Sequence, residues 1–415
     1  MTTSHSEEQA RVVVVSHTGE LGGAEVALVR LLDARERGRF DVSAIVLEDG
    51  VLPERLRSVG VPTRVLESGD LTRVTRAAAA SSMTAIWQNV SASLGVARNL
   101  RRALRDDGAD LVVANSLKSA ILVWMARPRR TPWVWHLHDR LAPDYLAGPL
   151  ATALRLLARF GPRRVVVNSR ATAATLRGVP AERIIIAYPG LPEASFAGER
   201  PVRDPAAEPV VGIVGRISAT KGQRVFVEAA RRLAATRPGV RYRIVGGALF
   251  EDAPEEQALR ALVAGSTELA PSLEWTGWVS DADAEMRRLT IVVHASPVPE
   301  PFGQVIVEAM AAGTPVVGAD AGGVPEIIDP DATATPLADG LRRSPFGLLV
   351  RPGDERALAD AIRWMLDHPA DAGEMADAAR ALARDRFAIE NTWSTVARTW
   401  SRVLADRRSA SHVRR

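Results

Sequence analysis

The chain has 415 residues, 47% hydrophobic and 25% charged, a composition that fits a folded protein of two or three domains and excludes a disordered or fibrous one. No apolar run approaches the roughly 20 residues that span a bilayer, and the absence of cysteine excludes disulfides and thiolate metal sites. Against 53 basic residues stand 49 acidic ones, so the pI near 10 reflects arginine chemistry and no basic stripe; no nucleic acid is expected as a partner.

The N-terminal residues lack the basic-then-apolar pattern of a secretory signal, which leads us to expect a cytoplasmic protein, with the inner face of the membrane left open. From Val12 onward, short apolar strands alternate with segments of helical period. Residues 12–15 (VVVV) read as a buried strand, followed by a glycine loop and a helix from about Ala24, where Val26, Val29 and Leu32 share a face. Further strands are expected at 43–47, 111–114, 133–137, 164–168 and 184–188. Residues 191–209, rich in Pro, Ala and charge, read as a linker. The pattern restarts at 210–214 and continues through 242–245, 273–275, 291–294, 315–318 and 347–350. Beyond Glu355 the chain reads as helical to Asp406, with breaks near Pro369 and Phe387.

Strand–helix alternation of this kind implies α/β architecture: two Rossmann-like, doubly wound domains facing one another across a cleft, with ligands at the carboxyl ends of the strands. The expected domains are 1–190 and 210–388, then a C-terminal helix at 389–406 packing back toward the first domain, and a frayed tail at 407–415. Segment 71–105 is Ala-rich, basic and helical in character. It suits either peripheral contact with a membrane surface or a solvated helical excursion of the first domain.

Four stretches carry chemistry. In residues 294–326 a strand ends at His294, a proline-rich loop follows, and a helix starts near Gly303. The free N–H groups of that helix would form an anion site, with Glu300 on its rim and Glu308 in its second turn as acceptors for ligand hydroxyls. Residues 212–222 lead from a strand into a helix: Gly215 permits a tight turn, Arg216 is a fork of donors, and Lys221 is a point charge, a set suited to a diphosphate. Lys221 is one of only two lysines, with Lys118. In SHTGELGGAE (16–25), Gly22 and Gly23 either make a tight turn or let backbone N–H groups approach a phosphate. In WVWHLHDR, His136 and His138 end a strand and suit either a metal or a reacting sugar. The acidic pairs at Asp281/Asp283 and Asp329/Asp331 read as a helix cap and a loop, and no metal site is assigned to them.

Gly215-Arg216, Lys221-Gly222, Gly277-Trp278, the run EPFGxxxxEAMAxGxPVV (300–317) and GGxxE (322–326) stand in an order and spacing that resembles the family 4 retaining glycosyltransferases of the GT-B fold. GGAE (22–25) and His138-Asp139 are similar in the first domain. The resemblance implies transfer of a sugar from a nucleotide-sugar co-substrate to an acceptor hydroxyl (glycan, lipid-linked or small molecule), with retained configuration, no obligatory metal and no cofactor. It implies Arg216 and Lys221 at the donor diphosphate, with Gly22 and Gly23 available to it; Glu308 at the ribose; and Trp278 and Val279 beside the nucleobase. Glu300 would bind the donor sugar, with backbone N–H groups around Phe302, Gly303 and Gln304, and His138 and Glu300 would be the catalytic pair. The alternatives are a nucleotide-sugar epimerase or hydrolase on the same scaffold, or a metal-dependent hydrolase using His136 and His138.

Overall fold

The computed structural model describes residues 9–66, 83–127, 131–198, 207–249 and 252–412. They form two compact units, one of residues 1–190 with 389–415 and one of residues 191–388.

Unit 1 runs β1 (Ala10–Ser16), α1 (Gly23–Asp33), β2 (Phe40–Val46), α2 (Val51–Ser58), β3 (Thr63–Val65), α3 (Met83–Asp106), β4 (Leu111–Ala114), α4 (Leu117–Ala126), β5 (Trp133–Leu137), α5 (Gly148–Phe160), β6 (Arg164–Val167), α6 (Arg170–Ala174) and β7 (Ile184–Ile186). The sheet is parallel throughout, in the order β3-β2-β1-β4-β5-β6-β7. Central strand β1 is an unbroken valine run because both faces are covered. Val13 and Val15 enter a core shared with α3, α4 and α5, whereas Val12 and Val14 enter one shared with α1 and α2.

Unit 2 runs β8 (Val210–Val214), α7 (Gln223–Ala234), β9 (Arg241–Val245), α8 (Ala253–Ala264), β10 (Leu273–Gly277), α9 (Ala282–Arg288), β11 (Ile291–His294), α10 (Gln304–Ala311), β12 (Val316–Ala319), α11 (Pro325–Ile328), β13 (Thr335–Ala338), β14 (Leu341–Ser344), β15 (Gly347–Val350), α12 (Glu355–Asp367) and α13 (Pro369–Arg386). Its order is β10-β9-β8-β11-β12-β15-β14-β13, parallel except that β14 pairs antiparallel with both β15 and β13. In each unit the winding direction reverses beside the first strand, between β1 and β4 and between β8 and β11. At such a switch point neighbouring loops diverge and leave a crevice.

Helix α14 (Ile389–His412) returns the chain to unit 1. Trp393, Val396, Ala397 and Trp400 recur at helical spacing and are buried, with Phe40 set edge-on to both indoles at 6.3 and 5.5 Å.

Three segments differ from the reading of the sequence. Leu191–Phe196 is not a loose linker: the Leu191 N–H donates to the Phe387 carbonyl at 2.8 Å, Phe196 is buried, and Arg287 Nη2 donates to the Ser195 carbonyl. Residues 199–206 of that stretch lie outside the described residues. The tail is not frayed from Arg407, because α14 runs to His412 and Arg407 Nη1 donates to the Asp110 carbonyl at 2.8 Å. Of segment 71–105, residues 71–82 lie outside the described residues. The later part is α3, whose Val96, Ala97, Leu100, Ala103 and Leu104 are buried, so it is a core helix on that face. No helix among the described residues is long and apolar enough to cross a membrane.

Candidate active site

Because β8 and β11 are parallel neighbours, with Val211 beside Ile291 and Ile213 beside Val293, loops 215–222 and 295–303 leave the sheet together. Gly222 lets them touch: it holds φ +82°, and a Cβ there would overlap the Ala295 carbonyl. Ser296 Oγ lies 2.6 Å from the Thr220 carbonyl and 2.7 Å from that of Val298. Gln223, buried at the start of α7, donates from Nε2 to the Arg216 carbonyl at 2.9 Å.

This packing sets Lys221 Nζ 2.6 Å from Glu300 Oε1. His294, 4% exposed at the end of β11, places Nε2 3.5 Å from Glu300 Oε2. Burial alone raises the Glu300 carboxyl, but Lys221 and His294 outweigh it and hold the group below the usual carboxylate range. Glu300 is therefore a carboxylate at neutral pH. Its backbone is fixed too: the Gly323 N–H donates to the Glu300 carbonyl at 2.9 Å, and a Cβ on Gly322, at φ +63°, would overlap that same carbonyl. The GGxxE and EPFG parts of the sequence pattern are thus one packed unit.

Gly303 is the N-cap of α10. One residue on, Gln304 Nε2 donates to Glu308 Oε1 at 3.3 Å within the first turns. The Phe302 ring is buried edge-on against Phe387 at 5.7 Å, so this side chain anchors the loop while its backbone borders the helix start. Arg216 is half exposed, with Nη1 3.6 Å from Asp252 Oδ2. Trp278 follows β10, is 60% exposed, and lies over Gly247, where a Cβ would come 2.9 Å from the indole nitrogen; Val279 beside it is half-buried. The loops after β10, β9, β8 and β11 therefore form a row from Trp278 to Glu300, about 14 Å long at the usual strand spacing.

Unit 1 carries a second polar group at its own strand ends. His138 Nε2 is 3.0 Å from Asn115 Oδ1, and Asn168 Nδ2 donates to the His138 carbonyl at 3.1 Å. Tyr145 Oη donates to Asp139 Oδ1. Burial lowers the His138 pKa to about 4. His136 is different: fully inside β5, it stacks on Trp400 with ring centroids 6.1 Å apart, and burial together with nearby His138 lowers its pKa to about 3. A cavity of about 30 Å³, room for a water or two, is lined by Asn115, His136, His138, Asn168 and Thr392 among apolar neighbours. His17, after β1, has a pKa lowered to about 4 by burial and by Lys118.

Gly22 is the N-cap of α1, and its N–H donates to Glu25 Oε2 at 3.2 Å. Glu25 is buried, and burial raises its pKa. Gly23 opens α1. Asp281 caps α9 by accepting from the Ala284 N–H, and Asp329 accepts from the N–H groups of Thr333 and Ala334. Among the described residues no three His, Asp or Glu side chains gather as a metal set.

The sequence reading missed Asn115, Asn168 and any role for His294. A signal existed for the asparagines: β4 and β6 are both followed directly by Asn-Ser, and Ser116 and Ser169 both cap the helix that follows.

Comparison with known proteins bears on both units. Residues 208–368 match the family model described as glycosyl transferases group 1, and residues 22–190 match that of the glycosyl transferase 4-like domain. The 2-deoxystreptamine N-acetyl-D-glucosaminyltransferase of Streptomyces fradiae is 31% identical over 377 residues, 82% of each chain. Glycogen synthase of Mycobacterium tuberculosis is 33% identical over 211 residues, 50% of this chain, which spans only 44% of that enzyme's length. Among solved structures, Anabaena HepE in complex with UDP and glucose superposes with a TM-score of 0.75 at 26% identity, covering 95% of this chain and 100% of its own.

Proposed function

Because the chain belongs to the glycosyltransferases of the group 1 and 4-like families, with the GT-B fold, we propose that it moves a sugar from a nucleotide-sugar donor to an acceptor hydroxyl with retained configuration and without a metal. One observation carries the reading: the Lys221–Glu300 pair at the switch point of unit 2, beside the start of α10. Of the three donors on the Lys221 ammonium, one serves Glu300 and two serve the donor diphosphate, together with the Arg216 fork and the first N–H groups of α10. As the glycosidic bond breaks, charge grows on the leaving diphosphate. Fixed cations stabilise it more in the transition state than in the ground state, which is the work a divalent ion does elsewhere.

Glu300, ionised and turned by Lys221, accepts from hydroxyls of the donor sugar; Glu308 does so for the ribose. Trp278 and Val279, at the far end of the row, border the base. UDP is the nucleotide to test first, because Anabaena HepE binds it. On unit 1, His138 stays neutral at pH 7 and serves the reacting sugar. With the Asn115 oxygen toward the ring, Nε2 carries the proton and Nδ1 is the acceptor.

The test is turnover of UDP-sugar with an acceptor panel, read as nucleotide release and as the anomeric configuration of the product. Lys221→Ala and Arg216→Ala are each expected to lower turnover more than tenfold, about 1.4 kcal/mol or more of transition-state stabilisation. Chelator is expected to leave the rate unchanged. Wild-type turnover in either variant would remove the diphosphate role from that residue, and donor consumption that ignores every acceptor would assign a hydrolase instead.

A further inference from the structure

The outer side of the α3–α5 layer in unit 1 has an unusual composition. Val96–Leu104 of α3, Ala120–Ala126 of α4 and Ala151–Ala158 of α5 all pack into one core on the same face of the sheet, so their opposite sides look outward together. Ten large apolar side chains stand exposed among the described residues. Five of them lie on these three helices: Leu94, Trp124, Leu150, Leu156 and Phe160. Trp124 is 50% and Phe160 72% exposed, and the Arg159 guanidinium lies 5.3 Å from the Phe160 ring centroid.

Charge is segregated on the same helices. Their ranges contain seven basic residues and one acid, Asp106, whereas the whole chain is balanced to +4. Arg98, Arg102 and Arg105 on α3 and Arg159 on α5 are exposed. Exposed Trp, Phe and Leu set among arginines, with almost no carboxylates, is the pattern of helices that lie in a lipid–water interface: apolar tips enter the acyl boundary while guanidiniums meet anionic headgroups. A second copy of the same face would bring like charges together, which disfavours self-association there.

We propose that the outer face of α3, α4 and α5 docks unit 1 onto an anionic lipid surface. The docking is peripheral, through the interface and not across it. This inference stands apart from the transferase reading, since it uses none of the residues of the candidate active site.

The test is sedimentation of the full chain with vesicles of phosphatidylglycerol and phosphatidylcholine, and with phosphatidylcholine alone. Three proteins are compared: wild type, Trp124→Ser/Phe160→Ser, and Arg98→Gln/Arg102→Gln/Arg105→Gln. Wild type is expected on the anionic vesicles only, with binding weakened by about 0.5 M salt. Each arginine removed should weaken it about fivefold, so the triple variant should lose roughly a hundredfold, and the apolar double variant should also dissociate. All the substituted positions are exposed, so melting temperature and UDP binding should match wild type in both variants. Either variant binding like wild type, or wild type ignoring anionic vesicles, overturns the proposal. So does a dimer in lipid-free solution that these substitutions dissolve.

Discussion

Three histidines of unit 1 sit where protonation is disfavoured: His17 and His138 with pKa lowered to about 4, and His136 to about 3, burial being the main cause in each. The unfolded chain binds protons at these groups near pH 6.5, while the folded chain does not until pH 4 or below. Stability therefore falls as pH drops from about 6.5 toward 4. Melting curves across that window should show unit 1 weakening, and His136→Phe should flatten part of the slope. A slope unaltered in that variant would place the proton uptake elsewhere. How much of the site could be read in advance differs residue by residue. Lys221 stood out because lysine is scarce and Gly222 follows it. The pairing with Glu300 could not be read, since it depends on 78 intervening residues folding so that two loops meet. His294 was invisible for a simpler reason: a histidine ending an apolar strand looks like any buried ring until its neighbours are known.

The elements themselves were more legible where the solvent boundary writes a period into them. The apolar positions of α14 announce a helix with one buried face, and Trp400 is fully buried against Phe40 and His136. Trp400→Ala should cost roughly 3–5 kcal/mol, from lost burial and the void left behind. Calorimetry should show it as a lowered transition for unit 1 with that of unit 2 unmoved; a shift of both would mean that the units melt as one. Strands β3, β13 and β14 went unseen because their sequences, TRV, TPLA and LRRS, carry no apolar run, and β13 is exposed along its whole length. Main-chain bonds to a neighbouring strand make such elements, and no side-chain pattern records them.

For the molecule as a whole, both units repeat the strand order of a dinucleotide-binding sheet, and unit 2 brings an ionised carboxylate, a lysine paired with it and a helix start to its switch point. UDP at 100 times its dissociation constant should stabilise its host by about 2.7 kcal/mol, raising the transition of unit 2 and leaving that of unit 1 in place. Loss of that shift in Arg216→Ala, with the apo transition unchanged, would tie the effect to the diphosphate; a shift confined to unit 1 would reverse the assignment of donor and acceptor sides.

The return of α14 to unit 1 also governs the order in which the protein can be made. The Phe40 face of the first sheet is synthesised early, but the helix that covers it emerges only after residues 191–388. At about 5–20 residues per second that interval lasts some 10–40 s on the ribosome. Unit 2, continuous in the chain, can finish first. The nascent first sheet meanwhile carries an open greasy flank, and the wait makes it a client for chaperones until its own last helix arrives.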